Sequence, residues 1–481
     1  MIKFEKMKEE VTIPKNKIKD SFKRNIFFIL LAFLILLIIY FLPTPDGLSN
    51  DGKIMIGVLL VAAILWITEP IPLAVSGLLI MIIQPLLSIM PPAEVFASFG
   101  NQAVFFLIGA FILASAIEKH GLHRRIALKF LSYFEKSPRL LTLGIMTSCA
   151  FLSFLMPEHG VAALFLPIVA SILIAMKIIP KQSNFGKICM LSVAYGCSIG
   201  SLGTLVGGAR NPLAIGELSQ IGITVTFFDW MKYSMPVVLI ALPLVWLVLQ
   251  LSFPLDINDI SSAKNEIRNQ VTSTGKIRKK ELIVLSILIL TIVMWIFFSS
   301  YQYFGLAVIA ILASVLLFLS GTISWKDVEQ RVPWGIIILY GGAITLGIGM
   351  QKTGAGTWLA QLIFNLAGNN IYLVILMMIL FTILLTNVMS NIGAVAILLP
   401  IGIAISNEVP GLSPLLASMI IALCGGLAFM LVIGTPGNAI TYSSGYFSTR
   451  DLFKAGSIAN IVCMALVFII AIVYWIGILG I

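Results

Sequence analysis

Residues 156–168 read MPEHGVAALFLPI, and residues 389–401 read MSNIGAVAILLPI. Advancing the first stretch by 233 positions lays Met, Gly, Ala, Leu, Pro and Ile on themselves without a gap. The same offset carries Gly109 onto Gly342, Lys119 onto Lys352 and Gly121 onto Gly354. An ungapped match from residue 109 to residue 168 argues for two structural repeats. Each copy interrupts an apolar run with a short polar turn, the pattern of a broken or re-entrant helix lining a site inside a membrane.

Composition supports a membrane setting. Hydrophobic residues make up 59% of the 481 and charged residues 11%, where a soluble domain carries about a quarter charged. Apolar runs of roughly 17–25 residues, the length needed to cross a bilayer, recur almost end to end. The reading is an all-α polytopic membrane protein with about 11 transmembrane helices and two re-entrant hairpins. The five cysteines lie in or beside apolar runs, and their spacing suits neither a metal site nor a disulfide framework. The net charge of +10 falls in short loops, as cytoplasmic loops require, and implies no nucleic-acid partner. No cleavable leader is expected.

Basic residues set the topology. Residues 1–25 carry Lys3, Lys6, Lys8, Lys15, Lys17, Lys19, Lys23 and Arg24, which keeps the N-terminus cytoplasmic. The first half, 26–253, contains an interrupted pair at 140–176 and an unwound helix at 188–220. The interrupted pair fits either two short spans or a hairpin, and its short limbs favour the hairpin. The sequence from Gly200 to Pro212, GSLGTLVGGARNP, is too rich in glycine for an unbroken helix. A polar linker, 254–280, reads as a short mobile loop. The second half, 281–481, repeats the plan with a hairpin at 371–407 and an unwound helix at 415–447, broken at Gly434-Thr-Pro-Gly-Asn438. The loop after residue 118 holds six bases: Lys119, Arg124, Arg125, Lys129, Lys136 and Arg139. Its equivalent holds only Lys352. Matching loops of such different charge belong on opposite faces, the mark of inverted repeats.

The chain resembles the divalent-anion:sodium symporter family, carriers of citrate, dicarboxylates and sulfate. The resemblance rests on Trp66-Ile-Thr-Glu-Pro-Ile-Pro72, residues 105–116, and Gly121-Leu-His-Arg-Arg-Ile-Ala127. Val332-Pro-Trp-Gly335, Gly341-Gly342, Ser390-Asn391, Leu399-Pro400 and Gly434-Thr-Pro-Gly-Asn438 complete it. It implies a cell-membrane carrier, a homodimer, and a Ser-Asn-Thr motif at each hairpin tip. Each motif would hold one sodium ion and touch the substrate, with a further sodium-ligating hydroxyl four residues earlier. The second motif reads Ser390-Asn391-Ile392 after Thr386. The first departs, reading Pro157-Glu158-His159 after Ser153. Arg210 also departs, from a small residue or Pro.

The candidate anion contacts are therefore Glu158, His159, Arg210, Asn211, Ser390, Asn391, Pro436 and Asn438. The candidate cation ligands are Ser153, Glu158, Gly203, Thr386, Asn391, Gly434 and Thr435. Neutral oxygens on unwound backbone suit sodium, a hard cation. Glu158 opens three alternatives: it strengthens a cation site, pairs with His159 or Arg210, or carries a proton. A paired charge or a proton is favoured over a second sodium. Plainer readings stand beside these: a solvated Glu158–His159 tip, Arg210 as an interfacial anchor, Ser390 as a helix cap, and His120 and His123 in a wet loop.

The expected function is secondary transport of a small divalent or carboxylate anion, coupled to sodium or protons, by elevator-like alternating access in the lipid bilayer. The alternative is a cation/proton or oxyanion antiporter using Glu158. No metalloprotease or nucleophile motif points to an enzyme, no Walker A motif points to ATP, and no cofactor beyond sodium is implied.

Overall fold

A computed structural model describes residues 15–301, 303–367 and 370–481; Lys3, Lys6 and Lys8 lie outside them. Every regular element among the described residues is helical. After α1 (Lys15–Phe41), the first series comprises α2 (Asn50–Thr68), α3 (Leu73–Leu86), α4 (Pro92–Ala97), α5 (Gln102–Lys119) and α6 (Leu122–Leu131). It continues with α7 (Pro138–Leu152), α8 (Glu158–Ala175), α9 (Asn184–Gly200), α10 (Arg210–Gln220) and α11 (Phe227–Ser252). Helix α12 (Ser261–Ser273) links it to α13 (Lys279–Phe298), α14 (Leu306–Leu319), α15 (Trp325–Arg331), α16 (Trp334–Lys352) and α17 (Ala355–Ala367). The series closes with α18 (Ile371–Val388), α19 (Asn391–Glu408), α20 (Pro414–Cys424), α21 (Pro436–Tyr442) and α22 (Thr449–Ile470).

The 233-residue offset carries α3 onto α14 and α8 onto α19 end to end. Gly121 and Gly354, at equivalent turns, share a φ of 73°, a left-handed conformation that favours glycine. The packing repeats as well. An added Cβ at Gly109 of α5 would lie 2.5 Å from the Ala310 carbonyl carbon of α14. One at Gly342 of α16 would lie 2.5 Å from the Gly77 oxygen of α3. Advanced by 233, the pair 109/77 becomes 342/310, so each repeat lends one helix to the other's contact. Lys119 pairs with Asp327 at 2.7 Å, and Lys352 pairs with Glu94, the same ion pair carried through the repeat.

These pairs sit at opposite ends of the molecule. The end of α10 touches the start of α5, where Asn101 Nδ2 donates to Gly216 O at 3.2 Å. The same end reaches the last turns of α16, where Glu217 lies against Gly347. Helices α5 and α16 therefore run antiparallel. The six-base loop and its one-base equivalent lie on opposite faces, as their charges require.

Among the described residues, ten helices are long and apolar enough to cross a membrane, including α8, α18 and α19; α3, α7, α14 and α20 are shorter apolar helices. Helices apolar all round suit a bilayer.

The linker differs from expectation. Helix α12 buries Ala263, Ile267 and Gln270, packs on α8, and bonds Ser171 through Gln270. Arg125 donates to the carbonyls of Thr274, Gly275 and Lys276 and pairs with Glu281 at 2.9 Å. Residues 254–280 are thus held by the first series, not a loose loop. Asp256 caps α9, accepting from Asn184 N at 2.8 Å, Phe185 N at 3.0 Å and Ser183 Oγ at 3.2 Å. Partial burial raises its carboxyl, but these hydrogen bonds outweigh that and hold it below the usual carboxylate range. Its contribution is therefore present above about pH 4 and lost as pH falls through the lowered value. Asp256→Ala should cost about 1 kcal/mol at pH 7, the usual worth of such a cap. Thermal unfolding in detergent checks this, and the difference from wild type should shrink in acid.

Candidate transport site

Both interrupted pairs break where a helix cannot continue. Helix α7 ends at Leu152, and the chain turns through 153–157 before α8 starts at Glu158; α18 ends at Val388, and α19 starts at Asn391. Glu158 and Asn391 are therefore first-turn residues. They are also equivalent under the 233 offset, and they meet: Asn391 Nδ2 donates to Glu158 Oε1 at 3.3 Å. Two helix N-termini, each a partial positive charge, converge on this point.

The first unwound segment, 201–209, follows α9 and crosses behind Glu158. Gly207 O accepts from Glu158 N at 3.1 Å, and Thr204 Oγ1 donates to Phe154 O at 2.8 Å. Gly207 is required by close approach: an added Cβ would lie 2.3 Å from Ser153 O and 2.8 Å from Ser201 Cα. Gly207→Ala must move backbone, so a loss of about 1–3 kcal/mol is expected. Gly160→Ala is the control, since its nearest contact is the mobile end of Met156 at 3.1 Å. Thermal unfolding of the two variants should separate them.

Arg210, the first residue of α10, is only 1% exposed, which excludes an interfacial anchor. Its Nη1 lies 3.7 Å from Glu158 Oε1, and its Nη2 donates to Ser201 Oγ at 2.7 Å. Ser201 Oγ in turn lies 2.7 Å from Glu158 Oε2. The guanidinium also spans the two repeats: an added Cβ at Gly208 or Gly426 would lie 2.7 or 2.1 Å from it. Glu158 is thus buried and paired with Arg210, while His159 faces a cavity and makes no hydrogen bond or ion pair with the carboxylate. The solvated Glu158–His159 tip is not what the structure has.

The second tip carries different chemistry. Thr386 Oγ1 lies 2.7 Å from Gly425 O and 2.8 Å from Asn391 Oδ1. These three oxygens share one hydroxyl proton, so one close approach has no proton between its oxygens. A surplus of neutral acceptors suits a hard monovalent cation, and all three residues are buried.

The second unwound segment starts earlier than expected. Helix α20 stops at Cys424, and 425–435 are unwound; Gly434 and Thr435 end the break, whereas Pro436 and Asn438 belong to the first turn of α21. Gly425-Gly426 explains the early stop, and Thr435 Oγ1 caps α21 by accepting from Asn438 N at 3.2 Å. The two breaks are braced alike. Asn211 Nδ2 donates to Ser201 O and Thr204 O, and Asn438 Nδ2 donates to Ala428 O and Leu431 O, ten and seven residues earlier in each case. Counted from these asparagines, Arg210 stands where the second repeat has Gly437.

Among the other candidates, Ser390 accepts from Gly393 N at 3.2 Å as a cap. Ser153 Oγ is buried with no partner among the described residues. Gly203 O accepts from Ser234 Oγ at 3.1 Å. Gly434 packs on the Asn387 backbone, and Pro436 is exposed. Sequence reasoning missed Ser201, Gly425 and Gly426. The last two carried a usable signal, a Gly-Gly pair inside an apolar run.

A cavity of about 570 Å³ reaches the first tip. Pro157, His159 and Gly160 line it with Glu118 of α5, Arg331 of α15 and Ile440 of α21. It opens at the end bearing Lys119 and the six-base loop.

Two buried, braced helix breaks meet at paired tips inside a bundle of membrane-length helices, an arrangement that suits a polytopic transporter. The chain matches the sodium:sulfate symporter transmembrane region over residues 23–481, and it belongs to that family, which is the divalent-anion:sodium symporter family. It is 31% identical over 470 residues to the sodium-dependent dicarboxylate transporter SdcS of Staphylococcus saprophyticus, covering 92% of this chain and 89% of that one. SdcS of Staphylococcus aureus is also 31% identical, over 471 residues, with 93% and 89% covered. Among solved structures, Neisseria gonorrhoeae MtrF, described as illuminating a class of antimetabolite efflux pumps, superposes with a TM-score of 0.58 at 12% identity. That likeness covers 93% of this chain and 94% of MtrF. The Alcanivorax borkumensis YdaH transporter gives 0.52 at 14% identity, covering 80% and 87%. Both show a shared fold.

Proposed function

We propose that this chain is a sodium-coupled carrier of C4-type dicarboxylates, moving its substrate by elevator-like alternating access. The observation that carries the reading is the meeting of Glu158 with Asn391, with Arg210 beside one and the Thr386–Asn391–Gly425 oxygens beside the other. At the first tip the guanidinium supplies a fixed positive charge and neutralises Glu158. At the second tip the crowded oxygens take sodium. The N-termini of α8 and α19 then face the substrate's negative charges, with Ser390 Oγ and Asn391 Nδ2 as donors and His159 at the mouth. Names of the relatives support the substrate class.

The halves 26–253 and 281–481 contribute one tip each, and the glycine-seated pairs α5–α14 and α3–α16 form the frame against which the tips move. The multi-pass chain sits in the cell membrane with its N-terminus and six-base loop cytoplasmic, so the cavity at His159 is the inward path. The resemblance adds a homodimer. The antiporter alternative needs Glu158 free to exchange a cation, whereas Arg210, Ser201 and Asn391 all engage it.

The test is uptake of labelled succinate by purified protein in liposomes, with citrate and sulfate as competitors. Sodium-driven uptake inhibited most by other dicarboxylates is expected. Absence of sodium-driven uptake of succinate, citrate or sulfate overturns the reading.

A further inference from the structure

Outside the two tips, one buried carboxylate has no role in this mechanism. Glu217, near the end of α10, is 6% exposed, and no side-chain hydrogen bond or ion pair engages its carboxylate among the described residues. Its carboxylate rests on the backbone of α16, where an added Cβ at Gly347 would lie 2.2 Å from Oε2 and 2.6 Å from Oε1. It lines a cavity of about 50 Å³ with Gln220 of α10, Gln351 of α16, Thr357 of α17 and Asn407 of α19.

The helices packed against α10 are α5, α16, α19 and α20. Their ionisable groups are Glu118 and Lys119 on α5, Tyr340 and Lys352 on α16, Glu408 on α19 and Cys424 on α20. Lys119 and Lys352 are committed to Asp327 and Glu94, and α17 carries none. Arg210, on α10 itself, is committed to Glu158.

An unpaired buried charge is strongly unfavourable, so the carboxyl group takes up either a proton or a counter-ion. Gln220, Gln351, Thr357 and Asn407, all exposed at the rim of the cavity, supply three amide oxygens and a hydroxyl. The cavity is too small for a dicarboxylate but holds one ion with a water, whose share of liquid is about 30 Å³. Thiolate and imidazole, which select transition metals, do not line it. One carboxylate is fewer than the several that calcium sites usually gather.

We propose that Glu217, Gln220, Gln351, Thr357 and Asn407 form a second sodium site, separate from the hairpin tips and bridging α10 to α16 and α19. It rests on the proposed transport reading only in taking sodium as the ion.

The test is equilibrium binding of radioactive sodium to detergent-purified protein, with choline holding ionic strength constant. Wild type, Glu217→Gln, Thr386→Val and the double variant are compared, each first shown to be monodisperse. Glu217→Gln keeps the side chain's size and should lose one bound sodium while the Thr386-dependent ion stays. The double variant should bind none above background. Gln351→Leu, a second probe that leaves the carboxylate in place, should weaken the same component about tenfold, close to 1.4 kcal/mol. Unchanged sodium number and affinity in Glu217→Gln overturns the proposal, as does a change in proton release alone. If Glu217→Gln does not fold, unchanged binding by Gln351→Leu overturns it. Loss of the Thr386 component with Glu217→Gln unchanged would defeat this site and leave the transport reading standing. Loss in Glu217→Gln from a protein that moves no succinate would do the reverse.

Discussion

Arg210→Gln should abolish uptake and lower stability by about 3–5 kcal/mol, the range for breaking a buried ion pair by removing one partner. The guanidinium is 1% exposed, lies 3.7 Å from Glu158 Oε1 and bonds Ser201 at 2.7 Å. Its loss leaves Glu158 charged and buried, with only Ser201 and Asn391 for support. It also removes the group that packs on Gly208 and Gly426 and so couples the two helix breaks. Glu158→Gln alone strands the cation instead and should also destabilise. The double variant Glu158→Gln, Arg210→Gln removes both charges and should recover most of the lost stability. Thermal unfolding of the four proteins gives the coupling between the residues. A double variant no more stable than Arg210→Gln would mean that the pair does not act as a unit.

Thr386→Val should weaken sodium activation of uptake about 10- to 150-fold while leaving the fold intact. The hydroxyl is one of three oxygens gathered within 2.8 Å contacts at the second tip, and valine keeps its shape without its oxygen. A hydrogen-bond-scale contact to a charged partner contributes roughly 1.5–3 kcal/mol, and about 1.4 kcal/mol corresponds to a factor of ten. Asn391→Ala should be worse, because its amide also donates to Glu158. Ser390→Ala loses a cap worth about 1 kcal/mol and a substrate donor, so it should raise the succinate concentration needed for uptake while moving its sodium dependence least of the three. Sodium titrations of uptake rates rank the three. Equal sodium dependence in Thr386→Val and wild type would remove this hydroxyl from the cation site.

Much of this arrangement is legible in the chain because inverted repeats leave a linear trace. The 233-residue offset that aligns Pro167 with Pro400 also generates the Gly109–Ala310 and Gly342–Gly77 contacts and both ion pairs. Charge asymmetry between the loops at Lys119 and Lys352 then orders the two ends. What stayed hidden depended on side chains meeting across the fold. Gly425-Gly426 sits inside an apolar run, so Gly434 and Pro436 looked like the start of a break that they end. The spacing of Ala263, Ile267 and Gln270 is one helical face, but polar neighbours disguised it as a loop. Ser201 matters only because α10 brings Arg210 back to it. Glu217 lies in a short helix whose sequence, RNPLAIGELSQ, says nothing of the Gly347 backbone that receives it.

The most direct test of the central claim is uptake of labelled succinate into proteoliposomes under separately imposed sodium and proton gradients. A sodium gradient alone should drive accumulation in wild type, and Thr386→Val should shift its sodium dependence. A proton gradient that drives uptake without sodium, and fails to do so in Glu158→Gln, would contradict the account and make Glu158 the coupling group.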